Sequence, residues 1–424
     1  MKFYIYTLGC KVNTYESNVM RDNLVNNGYI ESNDENDADI YIINTCTVTN
    51  TSDNKSLKVI RRVVRNNNNA IVIAVGCMTQ VNYKLLDDLN VSIVLGNSGK
   101  SKIVDYIEQY KLNNKKIIDI KDIMNEKFED MCLNNFNKTR AFVKIEDGCE
   151  NFCSYCIIPF ARGKVRSKNP KIVIEEITNL VNEGHKEIVL TGIHTGHYGA
   201  DLEDYNFSKL LREIENIKGL KRLRISSIEI TELDDEFLDT LNSSKILVDH
   251  MHIPIQSGSN TILKLMNRKY DKEYFIDKIN KIRSIRPDIS ITTDLIVGFP
   301  GESEELFEET IDTINKIKFS KIHVFPFSLR KGTKAEELTN HIDDITKKNR
   351  VNVIIDISKK LENEYFNKFL NKEIEYLPEI YKEGYIIGHT GNYLLVKTKG
   401  TIKDLNEFKM VEIKKVEYPY CIGE

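Results

Sequence analysis

Three cysteines, Cys149, Cys153 and Cys156, stand as C-x-x-x-C-x-x-C inside AFVKIEDGCENFCSYCIIPFARG, and this triplet constrains the fold more than any other stretch. Whatever carries it must bring three thiols out of one short loop onto a common centre. Three thiolates at that spacing can ligate three irons of a [4Fe–4S] cube and leave the fourth iron without a protein ligand, whereas ordinary electron-transfer clusters take four cysteines. An open iron is a place for a small chelating molecule. The alternative is a zinc knot, which takes four ligands, commonly as C-x2–4-C pairs or with histidines. No fourth cysteine or histidine follows nearby, so the spacing favours the cube.

Residues 1 to about 108 alternate strand and helix. The runs KFYIYTL, DIYIINT, AIVIAVG and VSIVLG are short, rich in Ile, Val and Tyr, and bounded by Gly, Asn or Thr. That is the pattern of a small doubly wound parallel sheet. Cys10, Cys46 and Cys77 each fall at or just past the C-terminal end of a different run. In an open parallel α/β sheet those ends share the edge where ligands bind. Three thiols far apart in sequence are therefore expected as neighbours in space. Three buried structural cysteines are the other reading.

Residues 109–138 are polar and asparagine-rich and read as a linker. From 139 a second βα series runs through AFVKIED, EIVLTG, KRLRISS, DHMHIPIQ, SITTDLIVGF and KIHVFPF. Six strands fall short of a closed eight-fold barrel, whose chemistry would sit at the C-terminal mouth. A helical extension to 370 and a small β-barrel over 371–424, with GYIIGHTGNYLLVKTKG, complete the chain.

At 424 residues there is room for two or three domains with their own cores. No apolar run approaches the roughly 18 residues of a membrane helix, and MKFYIYTLGC is too short and strand-like for a signal peptide. Eight cysteines without the dense spacing of a secreted scaffold point to a reducing cytoplasm. The net charge of −3 argues against wholesale coating of a nucleic acid, so RNA binding has to come from local patches. One is Lys55, Lys58, Arg62 and Arg65, on one face of an acid-free helical stretch. The other is FARGKVRSK beside the cysteine loop, with Arg162, Arg166 and Lys168. Either can equally be a solvated face.

The cysteine spacing, its place after a strand and Tyr155 before the last cysteine together resemble the radical-SAM superfamily. YTLGCKVNTYES, INTCTVTN, VGCMTQ, DGCENFCSYCIIPFARGKVRSK, HIPIQSGSN and LIVGFPGE follow in the order seen in its methylthiotransferases, and TLGCKVN and NTCTVTN look like the bacterial MtaB type. The resemblance implies an N-terminal doubly wound parallel-sheet domain, a central open six-stranded radical-SAM barrel and a TRAM-like RNA-binding β-barrel. It implies two [4Fe–4S] clusters, one on Cys149, Cys153 and Cys156 that cleaves S-adenosylmethionine (SAM), and an auxiliary one on Cys10, Cys46 and Cys77. LIVGFPGE is similar to the superfamily's adenine-contacting motif. Gly192, Ser226, Gln256, Asp294 and Gly298, at or near strand ends, are the expected SAM contacts, although each can be a turn residue or a helix cap.

For substrate the resemblance implies the tRNA anticodon loop, with S–CH3 inserted at C2 of N6-threonylcarbamoyladenosine at position 37. A MiaB-like enzyme would take isopentenyl-adenosine instead, and a RimO-like one an aspartate of a ribosomal protein. Outside the class stand an iron–sulfur carrier and a zinc-dependent RNA-binding module. Arg162, Arg166 and Lys168 are expected against the substrate's phosphates or its added carboxylate. A low-potential electron donor, a monomer and no membrane contact complete the expectation. Radical chemistry needs no tuned general base, so His194, His197 and His252 are read as supporting groups. Residues 371–424 hold eight Lys against nine Asp or Glu, so an RNA role for them rests on resemblance alone. FSLRKGTKA lacks both prolines of the family's YSxRPGTPA but keeps Ser328, Arg330, Gly332 and Thr333.

Overall fold

The computed structural model describes residues 1–67, 69–133 and 135–424; Asn68, in the asparagine run, and Asn134, in the expected linker, lie outside the described residues. Six parallel strands form the N-terminal sheet: β1 (Lys2–Thr7), β2 (Ile30–Glu31), β3 (Ile40–Thr45), β4 (Ile71–Gly76), β5 (Ile93–Leu95) and β6 (Ile117–Asp119), in the order β2-β1-β3-β4-β5-β6. Helices α1 (Lys11–Asn26), α2 (Asn50–Asn66), α3 (Cys77–Asn82) and α4 (Ile103–Asn113) cover both faces. Ile40 and Ile42 of β3 pack with Met20, Leu24, Ile103 and Ile107, while Tyr41 and Ile43 pack with Leu57, Ile60, Val63 and Met78. Burial on both sides is why these strands read as unbroken apolar runs.

β6 comes from the stretch read as a linker, so the sheet extends past residue 108 to Asp119. Its three residues are too short a run to announce a strand before β5 is there to pair with. Further on, Met131, Leu133 and Phe136 are buried in the core of the central domain, which makes this stretch a buttress and not a tether.

The central domain begins with β7 (Arg140–Lys144). A small antiparallel pair, β8 (Glu146–Asp147) with β9 (Arg166–Ser167), then brackets the cysteine loop and the short helix α5 (Ile158–Arg162). Strands β10 (Glu187–Thr191), β11 (Arg222–Ile225), β12 (His250–His252), β13 (Ser290–Val297) and β14 (Lys321–Pro326) follow. They form two parallel sheets, β7-β10-β11 and β12-β13-β14, with a bridge from Leu223 to Leu247 between them: the expected open six-stranded half-barrel. Ala141, Val143, Ile188, Leu190, Leu223, Ile291 and Leu295 join the helical core. The alternate residues, among them Lys144, Glu187, Arg224, His250, His252 and Asp294, take the opposite face, because strand side chains alternate.

Helices α6 (Pro170–Asn182), α7 (Phe207–Ile214), α8 (Asp235–Ser243), α9 (Asn260–Leu265), α10 (Lys272–Ile285) and α11 (Glu304–Ile317) separate the strands. The long α12 (Asp344–Asn367) packs on β14 and leads into a closed five-stranded barrel. Its strands are β15 (Glu373–Lys382), β16 (Tyr385–Thr390), β17 (Leu395–Lys399), β18 (Lys409–Glu417) and β19 (Tyr420–Gly423). This barrel caps the N-terminal ends of the central strands. Arg222 donates to Glu375 (2.9 Å), Arg140 pairs with Glu379 (3.0 Å), and Tyr393 stacks on His250 with ring centroids 4.6 Å apart. The opposite end is left to the cysteines. Among the described residues no helix is long and apolar enough to cross a membrane.

Candidate cluster centres and SAM site

The loop bearing Cys149, Cys153 and Cys156 leaves β8 at the C-terminal mouth of the half-barrel. Backbone bonds pin it: Cys149 N–H donates to Gly163 O (3.0 Å), Ser154 N–H to Met266 O (3.0 Å) and Cys156 N–H to Cys153 O (3.0 Å). Burial raises the Cys153 thiol and pushes Cys156 up to about 12, and neighbouring cysteines of the triplet add to both shifts. Such thiols stay neutral unless a metal holds them deprotonated. Arg268, anchored by Glu229, donates to Cys153 Sγ (3.4 Å). His194, read from the sequence as a supporting group, lies in the turn after β10 with Cys149 among the groups acting on it. Burial alone would lower its imidazole, but hydrogen bonds to Cys149 and Glu232 outweigh it and raise it to about 11. Its Nε2 faces Glu232 and lies 3.3 Å from Asn151 Nδ2. His197 stacks on it at 4.0 Å and is lowered to about 4 by burial and by His194.

The N-terminal triplet lies where the sheet order reverses. β1 and β3 are neighbours with β2 outside β1, the arrangement that opens a crevice beyond their carboxyl ends. Cys10 follows β1, Cys46 follows β3 and Cys77 follows β4. Gly9, at φ +99°, lets the first turn close on the second: a Cβ there would stand 2.8 Å from Cys46 Sγ. Gly76, at φ +113°, would meet the Thr45 carbonyl at 2.7 Å, so Cys77 can be presented only behind a glycine. Cys77 and Cys10 both help to raise the Cys46 thiol, beyond the larger effect of burial, and Cys77 does the same to Cys10. The three thiols are thus spatial neighbours. Arg162 Nε (3.3 Å) and Asn97 Nδ2 (3.4 Å) donate to Cys77 Sγ, contacts that suit a thiolate.

Among the described residues the one trio of ligating atoms all within 4.8 Å of one another is His194, His197 and Glu232. Neither thiol triplet closes to the distance of a single shared ion, as a zinc knot would require. Three thiols in each set is the donor chemistry that a [4Fe–4S] cluster with one open iron takes.

Gly192, Ser226 and Gly298 directly follow β10, β11 and β13, Gln256 lies four residues past β12 and bridges Leu295, and Asp294 is within β13. Gly192 backs onto Glu146, and the Asp294 carboxylate lies 3.3 Å from His252 Nε2. Gly298 is turned toward Lys347 of α12 and away from the others.

In the basic string beside the cysteine loop Lys164 is exposed but Arg162, Arg166 and Lys168 are buried, and the expectation for these three is corrected. Lys168 is buried against Glu176 (2.5 Å) and Tyr15 (3.2 Å). Arg162 is wholly buried among Glu16, Asp147 and Asn13, and Arg166 donates to the Arg162 carbonyl (2.6 Å). The β8–β9 pair folds the string under α1, where Glu16 of that helix, with Asp147 and Glu176, neutralises it. Lys55, Lys58 and Arg62 do lie exposed on α2, with Arg62 paired to Glu35 (3.1 Å). Two further groups, Phe152 and Phe160, escaped sequence reading, and Arg330, named there only as part of its string, has a role that the string does not show. Arg330 donates to Thr47 Oγ1 (2.7 Å) and pairs with Asp53 (2.7 Å), clamping the turn that carries Cys46. Phe152 and Phe160 form an exposed edge-to-face pair at 6.2 Å beside the first triplet. Phe152 holds φ +44°, a strained value for a bulky residue.

Glu146 gives a pH signature. Burial pushes its carboxyl up to about 8, partly opposed by the His194 backbone N–H. A carboxyl raised in the fold contributes stability that is complete below its unfolded value of 4.5 and is lost as pH rises through about 8. Stability is expected to fall by about 1.4 kcal/mol per pH unit across that window, and Glu146→Gln to flatten the slope. Urea titrations at several pH values measure both; an unchanged slope in the variant refutes the assignment.

Comparison with known proteins places this geometry. The radical SAM superfamily model matches residues 143–314, and the model described as uncharacterized protein family UPF0004 matches residues 2–96. A Bacillus subtilis protein named threonylcarbamoyladenosine tRNA methylthiotransferase MtaB is 44% identical over 99% of this chain and 95% of its own. The chain belongs to the MtaB-type radical-SAM methylthiotransferases. A tRNA-2-methylthio-N(6)-dimethylallyladenosine synthase from Natranaerobius thermophilus is 36% identical over 88% of this chain and 84% of its own. Among solved structures, a radical S-adenosylmethionine methyltransferase, TsrM, from Kitasatospora setae superposes with a TM-score of 0.58 at 14% identity, covering 79% of this chain and 76% of that one, a likeness of fold. Membership in the radical-SAM family implies a [4Fe–4S] cluster and SAM, and Cys149, Cys153 and Cys156 are the residues that fit the cluster.

Proposed function

We propose that this chain is a cytoplasmic tRNA methylthiotransferase that inserts S–CH3 at C2 of N6-threonylcarbamoyladenosine at position 37. The observation that carries the reading is the pairing of two three-thiol centres, one at the sheet's switch point and one at the barrel mouth, joined through Arg162 on Cys77. When bound, the cluster on Cys149, Cys153 and Cys156 supplies the electron that breaks a carbon–sulfur bond of SAM, and an auxiliary cluster on Cys10, Cys46 and Cys77 supplies a site for sulfur. Gly192, Ser226, Gln256 and Asp294 hold SAM at the mouth, with Gly298 shaping the turn behind them. A low-potential donor feeds the first centre, and the monomer suffices because one chain holds both triplets.

The base must be unstacked to reach a buried centre. The chain has no Trp, so Phe152 and Phe160 are the stacking surface beside the mouth. Lys55, Lys58 and Arg62 follow the phosphates from α2. With Arg162, Arg166 and Lys168 buried, the substrate's carboxylate needs another cation, and Lys11 is that group. It opens α1 next to Cys10; burial, with Arg140 and Arg224, lowers its ammonium below the usual value, while Tyr393 and Cys10 raise it, so a substrate carboxylate would supply the counter-charge that the site favours. Isopentenyl-adenosine has no carboxylate, so Lys11 also favours the threonylcarbamoyl reading.

Two experiments test this. Nucleoside mass spectrometry of tRNA from a deletion strain is expected to lose the methylthio form of threonylcarbamoyladenosine and retain that of isopentenyl-adenosine; the reverse pattern overturns the substrate. Lys11→Gln is expected to raise KM for tRNA about tenfold or more while SAM cleavage persists. An unchanged KM removes Lys11 from the site.

A further inference from the structure

The ion network behind Cys77 carries more positive charge than its carboxylates balance. Lys100, Lys144, Arg162 and Arg166, all buried, converge on Glu16 and Asp147. Lys144 lies 2.8 Å from Glu16 and 2.6 Å from Asp147, and Arg162 likewise bonds to both acids. The neighbouring acid, Glu146, is no counter-charge, since burial favours its neutral form. Burial disfavours the Lys100 ammonium as well, and the remaining three cations, Lys144, Arg162 and Arg166, withdrawn from water around two carboxylates call for a further negative charge close by.

The group at hand is Cys77. Arg162 Nε donates to its sulfur at 3.3 Å and Asn97 Nδ2 at 3.4 Å. Asn97 is itself fixed: its Oδ1 accepts from Lys100 Nζ (2.9 Å) and its Nδ2 also donates to the Ala161 carbonyl (2.8 Å). We infer that Arg162 and Asn97 set the reduction potential of the centre held by Cys10, Cys46 and Cys77. The inference rests on the two-cluster reading above. A cube ligated by three thiolates is anionic, and reduction adds one more negative charge. A cation and an amide hydrogen-bonded to a ligand sulfur stabilise the reduced form more than the oxidised one and so raise the potential. Arg162 ends the helix that starts just after Cys156, so the segment bearing the last ligand of one centre supplies the charge partner of the other.

Potentiometric titration of the anaerobic holoprotein, read by electron paramagnetic resonance, tests this. SAM perturbs only the centre it binds, which tells the two signals apart. Asn97→Leu removes a neutral donor; Arg162→Gln keeps an N–H donor and removes the charge. Both variants are expected to keep about eight irons per chain and an unmoved SAM-sensitive midpoint. The SAM-insensitive midpoint is expected to shift to more negative potential, further in Arg162→Gln. An unmoved SAM-insensitive midpoint in fully loaded Asn97→Leu overturns the inference and leaves two clusters standing. About four irons in the unsubstituted protein overturns the two-cluster reading itself. If loss of its ion pairs keeps Arg162→Gln from folding, Asn97→Leu, which carries no charge, decides alone.

Discussion

Replacing Cys77 by alanine is expected to leave reductive cleavage of SAM running while the methylthiolated nucleoside falls below detection. Replacing Cys156 is expected to abolish both. The asymmetry follows from where the thiols are anchored. Cys77 opens α3 at the edge of the N-terminal sheet, whereas Cys156 belongs to a loop pinned by Gly163, Met266 and its own neighbour Cys153 within the central domain. Loss of Cys77 takes one ligand from a centre with three and leaves every backbone bond of the other loop in place. The two products, 5′-deoxyadenosine and the modified nucleoside, are measured in the same reaction. A Cys77→Ala protein that cleaves no SAM would mean that the two triplets do not work as separate centres.

Glu16→Ala is expected to be the most destabilising single change at the domain boundary. Glu16 is wholly buried on α1, paired with Lys100 of its own domain and with Lys144 and Arg162 of the next. Burial alone would raise its carboxyl, but Arg162, Lys100 and Lys144 hold it well below the usual range. Removing it leaves Lys100 without a carboxylate and Lys144 and Arg162 sharing Asp147, and breaking a buried pair costs about 3–5 kcal/mol. The sign with pH follows: a depressed carboxyl contributes stability that is present above its unfolded value of 4.5 and is lost as pH falls through the folded one. The variant is expected to unfold at lower urea and to lose the parent's steepening at acid pH. Hydrogen exchange is expected to rise first in α1 and α5; a change under 1 kcal/mol would show that the network does not hold the domains.

The fold was legible where burial is two-sided or alternating. The apolar strings of β1, β3 and β4 and the alternation in β7 to β14 declare themselves, because each strand's pattern records which faces it buries. β6 did not, since three residues gain their meaning from the neighbour they pair with. The cysteines were legible because chemistry fixes their type and spacing. The basic string was misread for a physical reason: an arginine's sequence neighbours do not reveal that an acid 146 positions away will neutralise it, as Glu16 does Arg162. Lys168 pairs with Glu176 inside its own domain, but its contact with Tyr15 and that of Arg162 with Glu16 exist only after two domains dock. Arg330 was kept as part of a familiar string, but its hold on Thr47 and Asp53 needed the tertiary structure.

Iron-edge anomalous scattering from anaerobic crystals tests the central claim most directly. Two iron clusters are predicted, one bounded by Cys149, Cys153 and Cys156 and the other by Cys10, Cys46 and Cys77, each with one iron that no side chain touches. A single iron site, or a fourth protein ligand such as His194 on the first cluster, would contradict it.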